Sequence, residues 1–183
     1  MAKGRKNGHG VRGVPGWPSK FPEELLTIRC DTREQTPWTF NSCLKTVTVV
    51  TEKVTYGDYC LHNDPALATV ERKSLVDFVK CCGQDRDRFM VQISKMRGGV
   101  EFPLVIIESD YGMMEVGSGW RGKMTSEQVL ACLHHIQNQV PVLLCRSRGE
   151  AERACLRHLR MALQKRYNRC REFARIMGDH NAQ

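Results

Sequence analysis

The apolar positions of this chain follow two periods. Short β-branched or continuous runs at Leu25 to Cys30, Thr46 to Thr51, Tyr56 to Leu61, Ala66 to Lys73, Phe102 to Glu108 and Pro141 to Cys145 have the length and composition of strands. Phe89, Ile93 and Met96, spaced by four and three, predict a helix from Gln84 to Met96. Leu156, Leu159 and Leu163 place one apolar stripe on a long helix from Gly149 to about Ile176. Ser74 to Asp77 is a loose capping box opening a helix that ends near Cys82. Thr125 to Gln128 is a cleaner one, opening a helix that ends near Gln139. His62-Asn63-Asp64-Pro65 is a turn between the third and fourth strands. Tyr111 to Lys123 is Gly-rich and is predicted to be a mobile loop, with Trp120, Arg121 and Lys123 offered to a partner such as DNA or simply to solvent. Several strands followed by helices, then strand, helix, strand, helix, predict an α/β domain of three layers around a central mixed β-sheet.

Composition narrows the class. A chain of 183 residues with 41% hydrophobic content supports one domain with one sizeable core. Its nine cysteines are odd in number and include no Cys-x-x-Cys pair, and no N-terminal segment reads as a signal peptide. Reduced thiols and an intracellular, non-secreted protein are expected. No apolar run approaches the roughly 18 residues of a membrane span, so no membrane partner is expected.

Charge is uneven along the chain. Residues 1–20 carry Lys3, Arg5, Lys6, Arg12 and Lys20 with no acid, and residues 146–175 carry ten Lys or Arg against Glu150, Glu152 and Glu172. Basic ends around a slightly acidic centre suit a protein that holds a polyanion and works on it with carboxylates. Residues 1–20 are expected to be a flexible basic arm, 21–177 the folded domain and 178–183 a short tail.

The chemistry gathers at Thr69 to Asp77. Glu71, Arg72 and Lys73 follow an apolar run and precede a helix. Side chains alternate along a strand, so Glu71 and Lys73 share one face and Arg72 takes the other. A hairpin centred between Asp64 and Pro65 would set Asp58 opposite Glu71. Like charges so placed destabilise a strand pair, and a divalent cation between them removes the conflict. Mg²⁺ suits such a site, because it takes one or two carboxylates and completes its shell with water and phosphate oxygens.

The ordered set Asp31-Thr32-Arg33-Glu34, Gly57-Asp58-Tyr59, and Glu71-Arg72-Lys73 followed by Asp77, with Arg88-Phe89 and Gln92 downstream, resembles the nuclease domain of XPF-type structure-specific endonucleases. That family belongs to the PD-(D/E)XK superfamily, with its restriction-endonuclease-like fold. Many members add a C-terminal helix-hairpin-helix domain, and from the length of sequence after the matched region none is expected here. The resemblance implies a metal-dependent endonuclease acting on branched, flapped or nicked DNA. It implies Asp31, Asp58, Glu71 and Lys73 as catalytic residues, and Asp58, Glu71 and Asp31 as holders of Mg²⁺, with Mn²⁺ able to substitute. Arg33, Glu34, Arg72 and Asp77 would support them. Lys3, Arg5, Lys6, Arg12, Arg88, Arg121 and Lys123 would meet DNA, and the domain would pair as a homodimer or with another nuclease-fold protein. Taken singly, each acid has a structural alternative: Asp77 as a helix cap, Asp31 as a turn residue, Glu34 as an exposed acid, Arg72 as a salt-bridge partner of Asp77 or Asp31. A DNA-binding module that has lost catalysis is the other functional reading.

Overall fold

The computed structural model describes residues 26–41 and 47–180, with side chains to residue 177. The expected arm, with Lys3, Arg5, Lys6 and Arg12, lies outside the described residues. Six strands form one sheet in the order β2-β1-β3-β4-β5-β6, made of β1 (Thr27–Cys30), β2 (Thr48–Thr51), β3 (Tyr59–Leu61), β4 (Ala68–Ser74), β5 (Phe102–Glu108) and β6 (Val142–Leu144). The pairs β1–β2, β4–β5 and β5–β6 are parallel, while β1–β3 and β3–β4 are antiparallel, so the sheet is mixed.

Each face of the sheet has its own core. Ile28, Tyr59, Val70, Leu104 and Ile106 point to α5 (Arg148–His180), which buries Cys155, Leu156 and Leu159 against them. Val105 and Ile107 point the other way, to α1 (Leu75–Cys82), α2 (Arg86–Gly99), α3 (Tyr111–Glu115) and α4 (Ser126–Gln137). The period-2 alternation of β4 and β5 thus feeds two helical layers.

The hairpin pairs Tyr59 with Val70 and Cys60 with Thr69, which is the expected register. The ladder stops at Tyr59 and does not reach back to Tyr56. Gly57 turns the chain there at φ +66°, and a Cβ would lie 2.6 Å from Thr69 Cγ2 and 2.8 Å from the Val70 carbonyl oxygen. Only glycine fits that bend without strain. The Asp58 amide then donates to the Val70 carbonyl at 2.9 Å.

Two local expectations change. The Gly-rich stretch after β5 contains a short helix, α3, because Asp110 caps it by accepting the Met113 amide at 2.8 Å. Trp120 is packed on the second core and donates Nε1–H to the Met124 carbonyl at 3.2 Å, so it is no free aromatic. The Thr125–Gln128 capping box forms with both of its hydrogen bonds. The last helix runs past the expected domain end, to His180.

Candidate active site

The end of β4 delivers Glu71 and Lys73 to the face covered by α2. Glu71 is 1% exposed, and its two carboxylate oxygens accept from Lys73 Nζ and from Gln92 Nε2 of α2. Lys73 also lies over the Phe89 ring, 5.3 Å from its centroid. Asp58, held beside them by the Gly57 bend, accepts the Arg72 amide on Oδ2 at 2.8 Å. The Asp58 side chain thereby replaces the ladder acceptor that β3 would have supplied.

Charge is costly in this corner. Burial first, and then the neighbouring Glu71 charge, push the Asp58 carboxyl up to about 8. Burial likewise raises Glu71. Burial alone would lower Lys73, but the Glu71 and Asp58 charges outweigh it and keep the ammonium above its ordinary value. Two carboxyls that resist ionising together are a place where a bound cation gains much.

Asp58, Glu71, Lys73, Gln92, Arg33 and Lys95 line a cleft of about 420 Å³. A second cleft of about 550 Å³ adjoins it and shares Arg33, Asp58, Lys73 and Arg88, adding Glu34 and Asp77. The side chains of Arg33 and Arg88 are 70% and 82% exposed, which leaves their cationic heads at the mouth.

The other site candidates have distinct places. Asp31 is buried and spends both oxygens on the protein. Oδ1 accepts from the Arg33 amide and Nε at 2.7 and 2.8 Å, and Oδ2 from Arg33 Nη2 and the Val54 amide at 2.9 and 2.8 Å. These bonds hold its carboxyl down at about 2. An acid so saturated positions Arg33 and has no free lone pair aimed at a cation in this arrangement. Asp77 donates its amide to Ser74 Oγ at 3.1 Å, so the helix-cap role is realised, although the side chain also reaches the second cleft. Arg121 and Lys123 line neither cleft.

Arg72 pairs with neither Asp31 nor Asp77. It crosses to the α5 face, donates Nε and Nη2 to the two oxygens of Glu108 at 2.8 and 2.9 Å, and reaches Glu34 at 3.1 Å. Glu108 also accepts from Trp38 Nε1 at 2.9 Å. Trp38 in turn stacks on Tyr59, with centroids 4.6 Å apart, and donates its backbone amide to the Tyr59 hydroxyl at 2.8 Å. The loop that carries Arg33 and Glu34 is fixed by this network. Glu108 and Trp38 were missed as site supports. The available signal was a carboxylate ending a continuous apolar strand, which in a parallel neighbour of β4 falls level with Ser74.

Among the described residues, no group of three or more His, Cys, Asp or Glu side chains is arranged to hold a metal ion. The acid pair Asp58 and Glu71 remains, and two carboxylates are what Mg²⁺ takes when a phosphate supplies further oxygens. The residues fit that ion by chemistry, as two adjacent carboxyls that burial holds above their ordinary range.

The family model of the ERCC4 domain matches residues 30–154 of this chain. Among solved structures, XPF from Aeropyrum pernix superposes with a TM-score of 0.59 at 19% identity, covering 74% of this chain and 61% of that one. XPF from Aeropyrum pernix in complex with DNA gives 0.59 and 19%, covering 76% and 66%. The chain spans less than two thirds of each of these structures, and the likeness is one of fold. No curated protein matches it significantly.

Proposed function

Because the chain belongs to the ERCC4 domain family, we propose that it is a divalent-metal-dependent endodeoxyribonuclease that hydrolyses phosphodiester bonds in branched, flapped or nicked DNA. The observation that carries this reading is the convergence of Asp58, Glu71 and Lys73 on one cleft, with both acids forced above their ordinary range by burial. A module without catalysis has no use for so costly an arrangement.

Asp58 and Glu71 would hold Mg²⁺, or Mn²⁺ in its place. Held by these two carboxylates, such an ion would supply charge neutralisation at the phosphate and a lowered pKa for a water beside it. Lys73 remains an ammonium, so it donates: it orients the water and offsets negative charge on the phosphoryl oxygens. Gln92 keeps the Glu71 carboxylate aimed. Asp31 sets Arg33, whose guanidinium meets the DNA backbone at the cleft mouth together with Arg88. Backbone contacts of this kind position the duplex and carry little sequence information, which suits recognition of DNA by its structure. Pairing with a second copy or another nuclease-fold protein belongs to the same proposal, supported by the exposed Phe173, Ile176 and Met177 on the outer half of α5.

The test is cleavage of labelled flap, fork, four-way-junction and plain duplex DNA with Mg²⁺, Mn²⁺ or chelator. Wild type should cut in metal only, and Asp58→Asn should lose cutting while still binding. Lys73→Ala should lose rate far more than metal affinity, by a factor on the order of 10² or greater for a charge-stabilising donor. DNA binding without any cutting by wild type, in either metal, would overturn the reading.

A further inference from the structure

A dithiol links α1 to α4, away from the acids. Cys82 closes α1 and Cys132 lies in α4. They are 5% and 2% exposed, and their thiols hydrogen-bond to each other. Arg86, the first residue of α2, donates Nη1–H to Cys132 Sγ at 3.5 Å. Cys82, Cys132 and Arg86 line a cleft of about 420 Å³ with Met124, Gln128 and His135.

The surroundings divide the two sulfurs into different roles. A guanidinium against a thiol favours its thiolate, which is the nucleophilic form. The Cys82 hydrogen bond, and then the Arg86 charge, hold Cys132 down to about 7 against the effect of burial. Donating that bond pushes Cys82 up. Cys30, Cys60, Cys81, Cys145 and Cys155 are all raised by burial and are inert by comparison. One activated sulfur touching one proton-bearing sulfur is the asymmetry that disulfide formation uses.

We propose that Cys132 and Cys82 form a modification site, at which a small peroxide entering beside Arg86 converts the pair to a disulfide tying the end of α1 to α4. The Cys132 thiolate attacks one peroxide oxygen, so the O–O bond breaks, an S–O bond forms and hydroxide leaves. Cys82 sulfur then attacks the Cys132 sulfenic acid; an S–S bond forms, the S–O bond breaks, and the departing hydroxide takes the Cys82 proton as water. The two sulfurs together lose two electrons and the peroxide gains them. The cross-link would act on the helix that leaves β4 directly after Ser74 and that presents Cys81 to the cleft beside the candidate active site.

The reduced protein, treated with hydrogen peroxide, alkylated and mapped by peptide mass spectrometry, tests this. A Cys82–Cys132 cross-linked peptide, removed by dithiothreitol and formed several-fold more slowly in Arg86→Gln, is the expected result. Cys82→Ser, which keeps a hydrogen-bond donor beside Cys132 but has no sulfur to resolve it, should stop the reaction at Cys132 sulfenic acid, which dimedone traps. The proposal is overturned if wild type oxidises at exposed Cys170 while Cys82 and Cys132 stay reduced, or if dimedone finds nothing at Cys132 in Cys82→Ser.

Discussion

At the residue scale, the two aspartates near the site are opposites. Asp58 has a carboxyl pushed up to about 8, so its ionised form is disfavoured by the fold. Its cost to stability grows as pH rises from the ordinary carboxylate value, near 4, toward 8. Asp58→Asn keeps an acceptor for the Arg72 amide and loses the charge. The variant should therefore be more stable than wild type at neutral pH by at least about 1 kcal/mol, and unfold at a higher temperature, with the gap closing toward pH 4. Saturating Mg²⁺ should raise wild type and leave the variant unmoved, which thermal scans with and without the ion would show. Asp31 is held at about 2 by Arg33 and by backbone amides. Its contribution is present above the ordinary value and disappears as pH falls from about 4 to about 2. Asp31→Asn should cost on the order of 2 kcal/mol at pH 7 and almost nothing at pH 2, as chemical denaturation at the two pH values would report.

At the element scale, β5 matters as much as β4. Glu108 gathers Arg72, Trp38 and, at 3.9 Å, Arg148 at the start of α5. Glu108→Ala would leave a mostly buried guanidinium short of a partner, at a cost of about 3 kcal/mol. It should also loosen the loop from residue 31 to 40, so urea denaturation should show the loss and Trp38 fluorescence should shift. Strand alternation, the hairpin register and the Thr125 cap were legible in the sequence, because each depends on residues within a few positions of one another. The Arg72–Glu108 pair was not, since it spans 36 residues and depends on which strand lies beside β4. Nor was the closure of Asp31 on Arg33. The motif places the acid at the strand end, but only the bend of the backbone after Cys30 turns the guanidinium back onto it.

At the scale of the whole molecule, the proposed function makes charge the term that would hold DNA. Residues 1–20 contribute five cations and no acid, and Arg33, Arg88 and Lys95 stand at the cleft. Removing residues 1–20 should weaken DNA binding and reduce the slope of log affinity against log salt by up to about 4, measured by anisotropy across a salt series. An unchanged slope would mean that residues 1–20 make no contact with the phosphates.

The alternation along β4 has a consequence for how this chain can vary in length. Glu71 and Lys73 serve one layer and Arg72 the other, so the strand acts as a two-sided ruler. Inserting one residue between Ala68 and Val70 would exchange the faces, driving the arginine into the acid cleft and a carboxylate against Trp38. Inserting two would restore the faces and shift both sets by one step. Lineages and engineered libraries should therefore tolerate length changes in the 62–65 turn while admitting none of odd length within β4.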